Sequence, residues 1–304
     1  MNNLKALKTP VLLLTYKRLD TTKQVFESIR KAKPPRLYIS SNIGINEEEN
    51  KKVQLVRSYI QHNIDWKCDV KKLYRTEHLS VKYSISSAID WFFENEEMGI
   101  ILEDDCLPSQ SFFWFCEKLL IKYKNEMRIW HISGDNFQDN IKRGDGNYYF
   151  SIYNHIWGWA SWANRWKYYD VELNNINDEK FLFEIFENKK ILKYWLNFFK
   201  KVKGNIINTW DAQWTFTIWL HKGISILPNQ NLVSNIGFGP YSTHTKIKSK
   251  QTNIPTFEIY KINHPSRIII DELADEYTFL TVFKPKPLLI RVVNKIRYLM
   301  NKYK

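Results

Sequence analysis

The stretch Pro10-Val-Leu-Leu-Leu-Thr15 constrains this chain more than any other. A short, unbroken apolar run closed by a polar residue suits a strand buried on both faces, as in a parallel sheet. A helical pattern follows at once: Thr21 or Thr22 can cap it, and Val25, Phe26 and Ile29 recur at helical spacing until Lys33-Pro34-Pro35 stops it. Residues 36–40 read as a second strand, 42–46 as a turn and 47–60 as a second helix. Two such units in succession predict a doubly wound α/β domain, its mostly parallel central sheet flanked by helices.

The alternation continues with a weak third strand at 69–74 and a helix at 84–94. Next comes the apolar strand Met98-Gly-Ile-Ile-Leu102, which runs straight into Glu103-Asp104-Asp105. Beyond Pro108, a helix at 112–123 and a strand at 128–133 are expected, and from 134 to 166 periodicity breaks down as it does in binding loops. A charged helical stretch at 178–203, an aromatic helix at 210–221 and a late strand at 225–228 follow, with no internal repeat.

Charge narrows the function classes. The 45 Lys and Arg against 32 Asp and Glu give a formal net charge of +13. Residues 1–40 hold nine basic and two acidic side chains and residues 284–304 hold seven and none, so the body between them is close to neutral. A nucleic-acid binder spreads its basic residues over one face, so no nucleic-acid partner is expected. The segment 287–304 is amphipathic, with Leu289, Val292, Val293 and Ile296 on one side and Arg291, Lys295 and Lys302 on the other. It suits attachment to an anionic membrane surface or simple docking on the domain. No apolar run approaches the roughly 18 residues of a membrane span, and the start resembles no signal peptide. Three cysteines, Cys68, Cys106 and Cys116, show no metal or disulfide spacing. The expectation is a cytoplasmic protein, peripheral at the inner face of the membrane if the tail binds there.

The acidic triplet is the strongest chemical signal. Three carboxylates directly after a buried strand sit at the carboxyl edge of a parallel sheet, where α/β folds bind ligands. Like charges so close need a compensating cation or polar ligand, and hard oxygen donors suit Mn²⁺ or Mg²⁺ shared with substrate phosphates. A solvated acidic turn is the plain alternative.

Three segments carry a resemblance: residues 10–18, the strand Gly99-Ile-Ile-Leu-Glu-Asp-Asp105 with Pro108 and Phe112-Phe113 behind it, and Asn208-Thr-Trp-Asp-Ala-Gln-Trp214. In this order and spacing they resemble a GT-A glycosyltransferase, more narrowly the N-acetylglucosaminyltransferase I family and its bacterial relatives, over roughly residues 9–245. The resemblance implies a GT-A domain at 1–245, with a nucleotide-binding half at about 9–105 and an acceptor-side half at about 106–245, and an extension at 246–304. It implies that Asp105 binds the divalent metal on the donor diphosphate while Glu103 and Asp104 face the ribose and donor sugar. Thr15, Tyr16 and Arg18 match the loop that packs on the nucleotide, with Arg18 a charge partner. Asp211 inherits the role of general base, although the family has a second Asp where this chain has Ala212. Where the family pairs an Asp with uracil, this chain has Ser40-Ser41-Asn42, so Asn42 would meet the base edge and UDP is the preferred donor nucleotide.

Other residues admit two readings. Trp159, in Ile156-Trp-Gly-Trp-Ala-Ser-Trp162, could stack a sugar or belong to the core, and Gly158 could let backbone approach the donor. Gly134-Asp135-Asn136 suits hydroxyl recognition or a helix-capping turn. Lys82 reaches a phosphate or faces solvent, and His244 is a further metal ligand or a loop histidine. The resulting expectation is a metal-dependent inverting transferase moving a sugar from a nucleotide-sugar donor to a glycan or lipid-linked sugar acceptor. A nucleotidyltransferase that makes the sugar nucleotide is the enzyme alternative, weakened because residues 15–22 lack the glycines that grip a triphosphate. A noncatalytic glycan-binding protein is the third.

Overall fold

A computed structural model describes residues 6–177, 179–237, 251 and 253–284. The first half is the expected alternation. Strands β1 (Val11–Thr15), β2 (Arg36–Ser41), β3 (Asp69–Tyr74) and β4 (Met98–Glu103) are connected by helices α1 (Leu19–Ala32), α2 (Glu47–Asn63) and α3 (Val81–Asn95). The second half contributes β5 (Cys106–Pro108), α4 (Gln110–Lys122), β6 (Ile129–Ser133), β7 (Tyr148–Ser151), β8 (Trp159–Trp162) and α5 (Ala163–Trp166). After these come α6 (Lys180–Ile185), α7 (Lys189–Lys203), α8 (Asp211–Leu220), β9 (Ile224–Pro228), β10 (Val233–Asn235) and α9 (Glu272–Thr278).

Eight strands form one sheet in the order β3-β2-β1-β4-β8-β6-β9-β7. The first four are parallel and β6 pairs parallel with β9, while β8 and β7 run against their neighbours. The fold class is therefore α/β with a mostly parallel central sheet. One face packs Val25, Phe26 and Ile29 of α1, Val56 and Ile60 of α2 and Phe112, Phe115 and Leu119 of α4. The other packs Ile89 and Phe92 of α3 with Trp159, Trp195, Trp214 and Trp219.

Local chemistry sets most boundaries. At α2, the Asn46 side chain accepts the Glu49 N–H at 2.9 Å and three glutamates occupy the first turn, where the helix dipole favours them. Helix α1 ends at Lys33 in the left-handed conformation, φ 50°, just before Pro34. Its start differs from expectation: Arg18 holds the cap position without a side-chain bond, and Thr22 Oγ1 donates back to the Arg18 carbonyl at 2.5 Å. Helix α3 begins at Val81, three residues before the expected start. The aperiodic region hides β7 and β8, whose four residues each are all buried, so neither shows the alternation that reveals a half-exposed strand.

Part of the 246–304 extension packs on the sheet. Ile270 bridges Phe150 of β7, the Asp271 N–H donates to the Phe150 carbonyl at 2.9 Å, and Ala274 is buried against Tyr149 and Leu227. The Asp275 carboxyl accepts from Ser151 Oγ and, at 3.2 Å, from the Ile152 N–H, yet burial dominates and pushes it up to about 7. A carboxyl raised in the folded state stabilises fully below its unfolded value of 3.8, and that stability is lost as pH rises through about 7. Urea denaturation across pH 4 to 8 should show a decline that Asp275→Asn lessens by on the order of 3 kcal/mol; equal slopes in the two proteins would refute this. His244 and the segment 287–304 lie outside the described residues. Among the described residues no helix is long and apolar enough to cross a membrane.

Candidate functional site

The carboxyl ends of β1 and β4 lie side by side, Leu14 opposite Glu103. Only Tyr16, Lys17 and Arg18 separate β1 from α1, and this turn wraps the acidic triplet. The Tyr16 N–H donates to Asp104 Oδ2 at 2.9 Å. Arg18 Nη2 lies 2.8 Å from both Asp104 Oδ1 and Asp105 Oδ2. One guanidinium thus bridges two buried carboxylates. The turn is held in place in its own right, since Tyr16 OH donates to Glu49 Oε2 at 2.5 Å and Lys17 pairs with the same carboxylate. Glu49 was not singled out by the sequence, where it falls inside the expected helix at 47–60.

The electrostatics follow from burial and crowding. Glu103 is held well above the ordinary carboxylate range, first by desolvation, then by Asp105 and Asp104, against the pull of Arg18. Asp211 adds a smaller upward push, so its charge lies near enough to act on Glu103. Asp104 is raised as well, chiefly by desolvation, with Arg18 and the Tyr16 N–H pulling it back. A site this rich in negative charge behind one arginine is poised for a cationic or polar ligand.

The triplet runs into β5, which pairs antiparallel with β10, and the Ile236 N–H donates to the Asp105 carbonyl at 2.8 Å. Gly237 then lies against the Asp105 carboxylate: a Cβ there would stand 2.0 Å from Oδ2 and 2.6 Å from Arg18 Nη1. Its backbone needs no unusual conformation, so a side chain there is opposed only by the Asp105 and Arg18 side-chain ends, which would have to shift. Gly237→Ala should displace the Asp105 carboxylate and weaken donor binding at least tenfold in a titration, with little change in melting temperature; unchanged binding would separate this loop from the site.

Asp211 opens α8, where Thr209 Oγ1 donates to its Oδ1 and the Trp210 carbonyl accepts from Tyr169 OH at 3.0 Å. One turn on, the Thr215 hydroxyl lies 2.7 Å from Asn154 Oδ1 and 3.2 Å from the Asp211 carbonyl, with one hydrogen to give to either. Among the described residues, Asp211, from the second half of the chain, thus shares no hydrogen bond with the triplet, and its link to it is the charge effect on Glu103.

Several expected donor contacts are corrected. Thr15 is buried and its Oγ1 ties β1 to the Ser40 carbonyl of β2 at 3.1 Å, so it positions the turn rather than touching a ligand. The Asn42 side chain is used up by backbone: Nδ2 donates to the Leu79 carbonyl at 2.7 Å and Oδ1 accepts from Ile43 and Leu79 N–H groups. It is not free to read a base. Lys82 is buried and paired with Glu172 at 3.2 Å, away from any phosphate role. Trp159 is sandwiched in the core, its ring stacked 5.0 Å from His131 and 5.8 Å from Trp210. Gly158 has φ 68°, and a Cβ would meet Val233 at 2.8 Å, so packing explains it without a ligand.

No group of three His, Cys, Asp or Glu side chains able to hold a metal exists among the described residues. The oxygens of Asp105 are hard donors in a cradle that a Cβ at 237 would fill. They fit a divalent ion only if most of its ligands come from a bound diphosphate.

No protein-family model matches the chain, and no curated protein matches it. Among solved structures, HddC from Yersinia pseudotuberculosis superposes with TM-score 0.32 and 11% identity over 52% of this chain and 78% of that one. An apo UDP-glucose pyrophosphorylase gives TM-score 0.35 and 10% identity over 73% and 90%. The UTP-bound UGPase of Acinetobacter baumannii gives 0.36 and 10% over 75% and 88%. Superpositions this loose carry no argument about the reaction.

Proposed function

We propose that this chain acts on a nucleotide-diphosphate sugar, and that it is an inverting glycosyltransferase passing the sugar to a hydroxyl of a cell-envelope glycan or lipid-linked acceptor. The observation that carries this is the convergence of Glu103, Asp104, Asp105, Arg18 and Asp211 at the carboxyl edge of β1 and β4. Arg18 offers charge to the donor diphosphate, and the Tyr16 N–H and Arg18 hold Asp104 in register beneath it. Asp105 is the residue that would hold a Mn²⁺ or Mg²⁺ arriving with the donor, which supplies Lewis-acid stabilisation of the departing diphosphate. Asp211, across the opening, accepts the proton of the acceptor hydroxyl as that oxygen attacks, and a single displacement inverts the anomeric centre. With Asn42 committed to backbone, UDP is the nucleotide to test first rather than one read by that side chain. An acceptor at a membrane and a location at its inner face rest on the basic chain ends alone.

A nucleotidyltransferase that makes the sugar nucleotide is the second reading, since a buried acidic cluster at the carboxyl edge of a parallel sheet would equally suit a nucleoside triphosphate with its divalent ion. Against it, the connection between β1 and α1 is three residues without glycine, too short and too stiff to cradle a triphosphate. One experiment separates the two. The protein is incubated with a panel of nucleotide sugars and Mn²⁺, and in parallel with nucleoside triphosphates and sugar 1-phosphates. Slow release of nucleoside diphosphate supports glycosyl transfer; pyrophosphate production overturns it in favour of the second reading. No turnover or binding in either arm removes both and leaves a glycan-binding role.

A further inference from the structure

All four carboxylate oxygens of Asp104 and Asp105 are engaged by the chain itself. Asp104 Oδ2 accepts the Tyr16 N–H at 2.9 Å, and Oδ1 accepts from Arg18 Nη2 at 2.8 Å. Asp105 Oδ1 has the buried Cys106 thiol 3.6 Å away, and Oδ2 has the same Arg18 Nη2 at 2.8 Å. Residue 237 closes on this pair as well, since a Cβ there would stand 2.0 Å from Asp105 Oδ2 and 2.6 Å from Arg18 Nη1. A divalent ion bonds a carboxylate oxygen at about 2.1 Å. Placed on Asp105 Oδ2 with Arg18 where it stands, the ion would lie within about 5 Å of the guanidinium, two cations drawing on one oxygen. The ion and Arg18 therefore compete for Asp105.

Of the three side chains, that of Arg18 is the one able to move. It is 24% exposed, against 5% for Asp104 and 11% for Asp105. Its backbone is fixed independently, because the Arg18 carbonyl accepts from both the N–H and the hydroxyl of Thr22, so α1 keeps its start wherever the guanidinium points. The guanidinium makes no capping bond to that helix. Asp104 retains the Tyr16 N–H when the arginine leaves. A diphosphate gives a guanidinium a good replacement for a carboxylate, since phosphate oxygens match its planar fork and carry more charge.

We propose that Arg18 is a cation gate on Asp105: it competes with a divalent ion for Oδ2 and gives that oxygen up when a nucleotide diphosphate offers it another partner, so that metal loads with the donor and not ahead of it. The proposal rests on the reading of the chain as acting on a nucleotide-diphosphate sugar. Arg18 acts here through Asp105, as the residue that couples two ligands, and by linkage each ligand tightens the other by the same factor.

The test follows Mn²⁺ by electron paramagnetic resonance, in which the signal of the free ion is lost on binding, for the wild type, Arg18→Met and Lys17→Met, each with and without UDP. Lys17→Met removes a charge from the same turn without touching Asp105, and Tyr16 still holds Glu49. Without nucleotide, Arg18→Met is expected to bind Mn²⁺ at least tenfold more tightly than the wild type, and Lys17→Met within threefold of it. UDP should then tighten Mn²⁺ binding by a larger factor in the wild type than in Arg18→Met, because only the wild type has an arginine to displace. Mn²⁺ binding in Arg18→Met no tighter than in the wild type overturns the gate. An equal gain in Lys17→Met overturns it too, since that marks a loss of net charge and not of a competitor. Equal factors from UDP in the wild type and Arg18→Met overturn the exchange onto the diphosphate. Tighter Mn²⁺ in Arg18→Met with no effect of UDP on any of the three proteins keeps the competition for Asp105 and overturns the proposed function. If Arg18→Met does not fold, Arg18→Gln, whose amide is uncharged and can still donate to Asp104, is expected to show the same gain and decides the question.

Discussion

Asp105→Ala is expected to cut turnover of a nucleotide sugar by about a thousandfold or more while leaving the protein no less stable than the wild type. Loss of activity follows because the substitution removes the carboxylate that would share a divalent ion with the donor, an interaction worth several kcal/mol in a transition state that builds charge on the diphosphate. Stability should hold because Asp105 is a burden on its neighbours: it is the largest charge effect raising Glu103. Arg18 keeps Asp104 as a partner at 2.8 Å once Asp105 is gone. Chelation with EDTA should reproduce the activity loss in the wild type and add nothing in the variant. Turnover within tenfold of wild type in Asp105→Ala would remove the triplet from the chemistry, and a melting temperature lowered by many degrees would show its role to be structural.

Asp211→Asn is expected to lower transfer by about 10²–10⁴-fold, the usual range for removing a general base, with donor affinity within twofold of wild type. The amide has the same shape and still accepts from Thr209 at Oδ1, so the start of α8 is preserved. Donor hydrolysis and transfer to acceptor should separate, since only the latter needs a base aimed at the acceptor hydroxyl. Full transfer by Asp211→Asn would eliminate it as the base.

How far the sequence revealed this molecule depends on what each residue spends itself on. The run at 10–15 and the strand before Glu103 were readable because continuous apolar residues leave few choices, and the triplet stands where that reading put it, at the end of β4. Arg18 was named because it matches the loop that packs on the nucleotide in the resembled family; its pairing with two carboxylates of the triplet was not legible in the sequence. Asn42, Lys82 and Trp159 were misread for a common reason. Sequence shows that a side chain can bind but not that a backbone carbonyl, a glutamate or two aromatic rings already hold it. Tyr16 meets the triplet through its N–H while its hydroxyl goes to Glu49, and a backbone contribution leaves no mark in the side-chain pattern. Gly237 carries no sequence signal, because only its distance to the Asp105 carboxylate shows that a methyl group there would press on the triplet.

The contact of residues 270–278 with β7 carries a further consequence. β7 is the last strand of the sheet, and on the side away from β9 its backbone meets Ile270 and Asp271. A protein trimmed at residue 245 would uncover that strand along with Tyr149 and Leu227, giving a flat, apolar margin of unpaired amides that invites edge-to-edge aggregation. The division expected at 245 is thus not one of packing for residues 270–278, which cover the edge strand of the sheet.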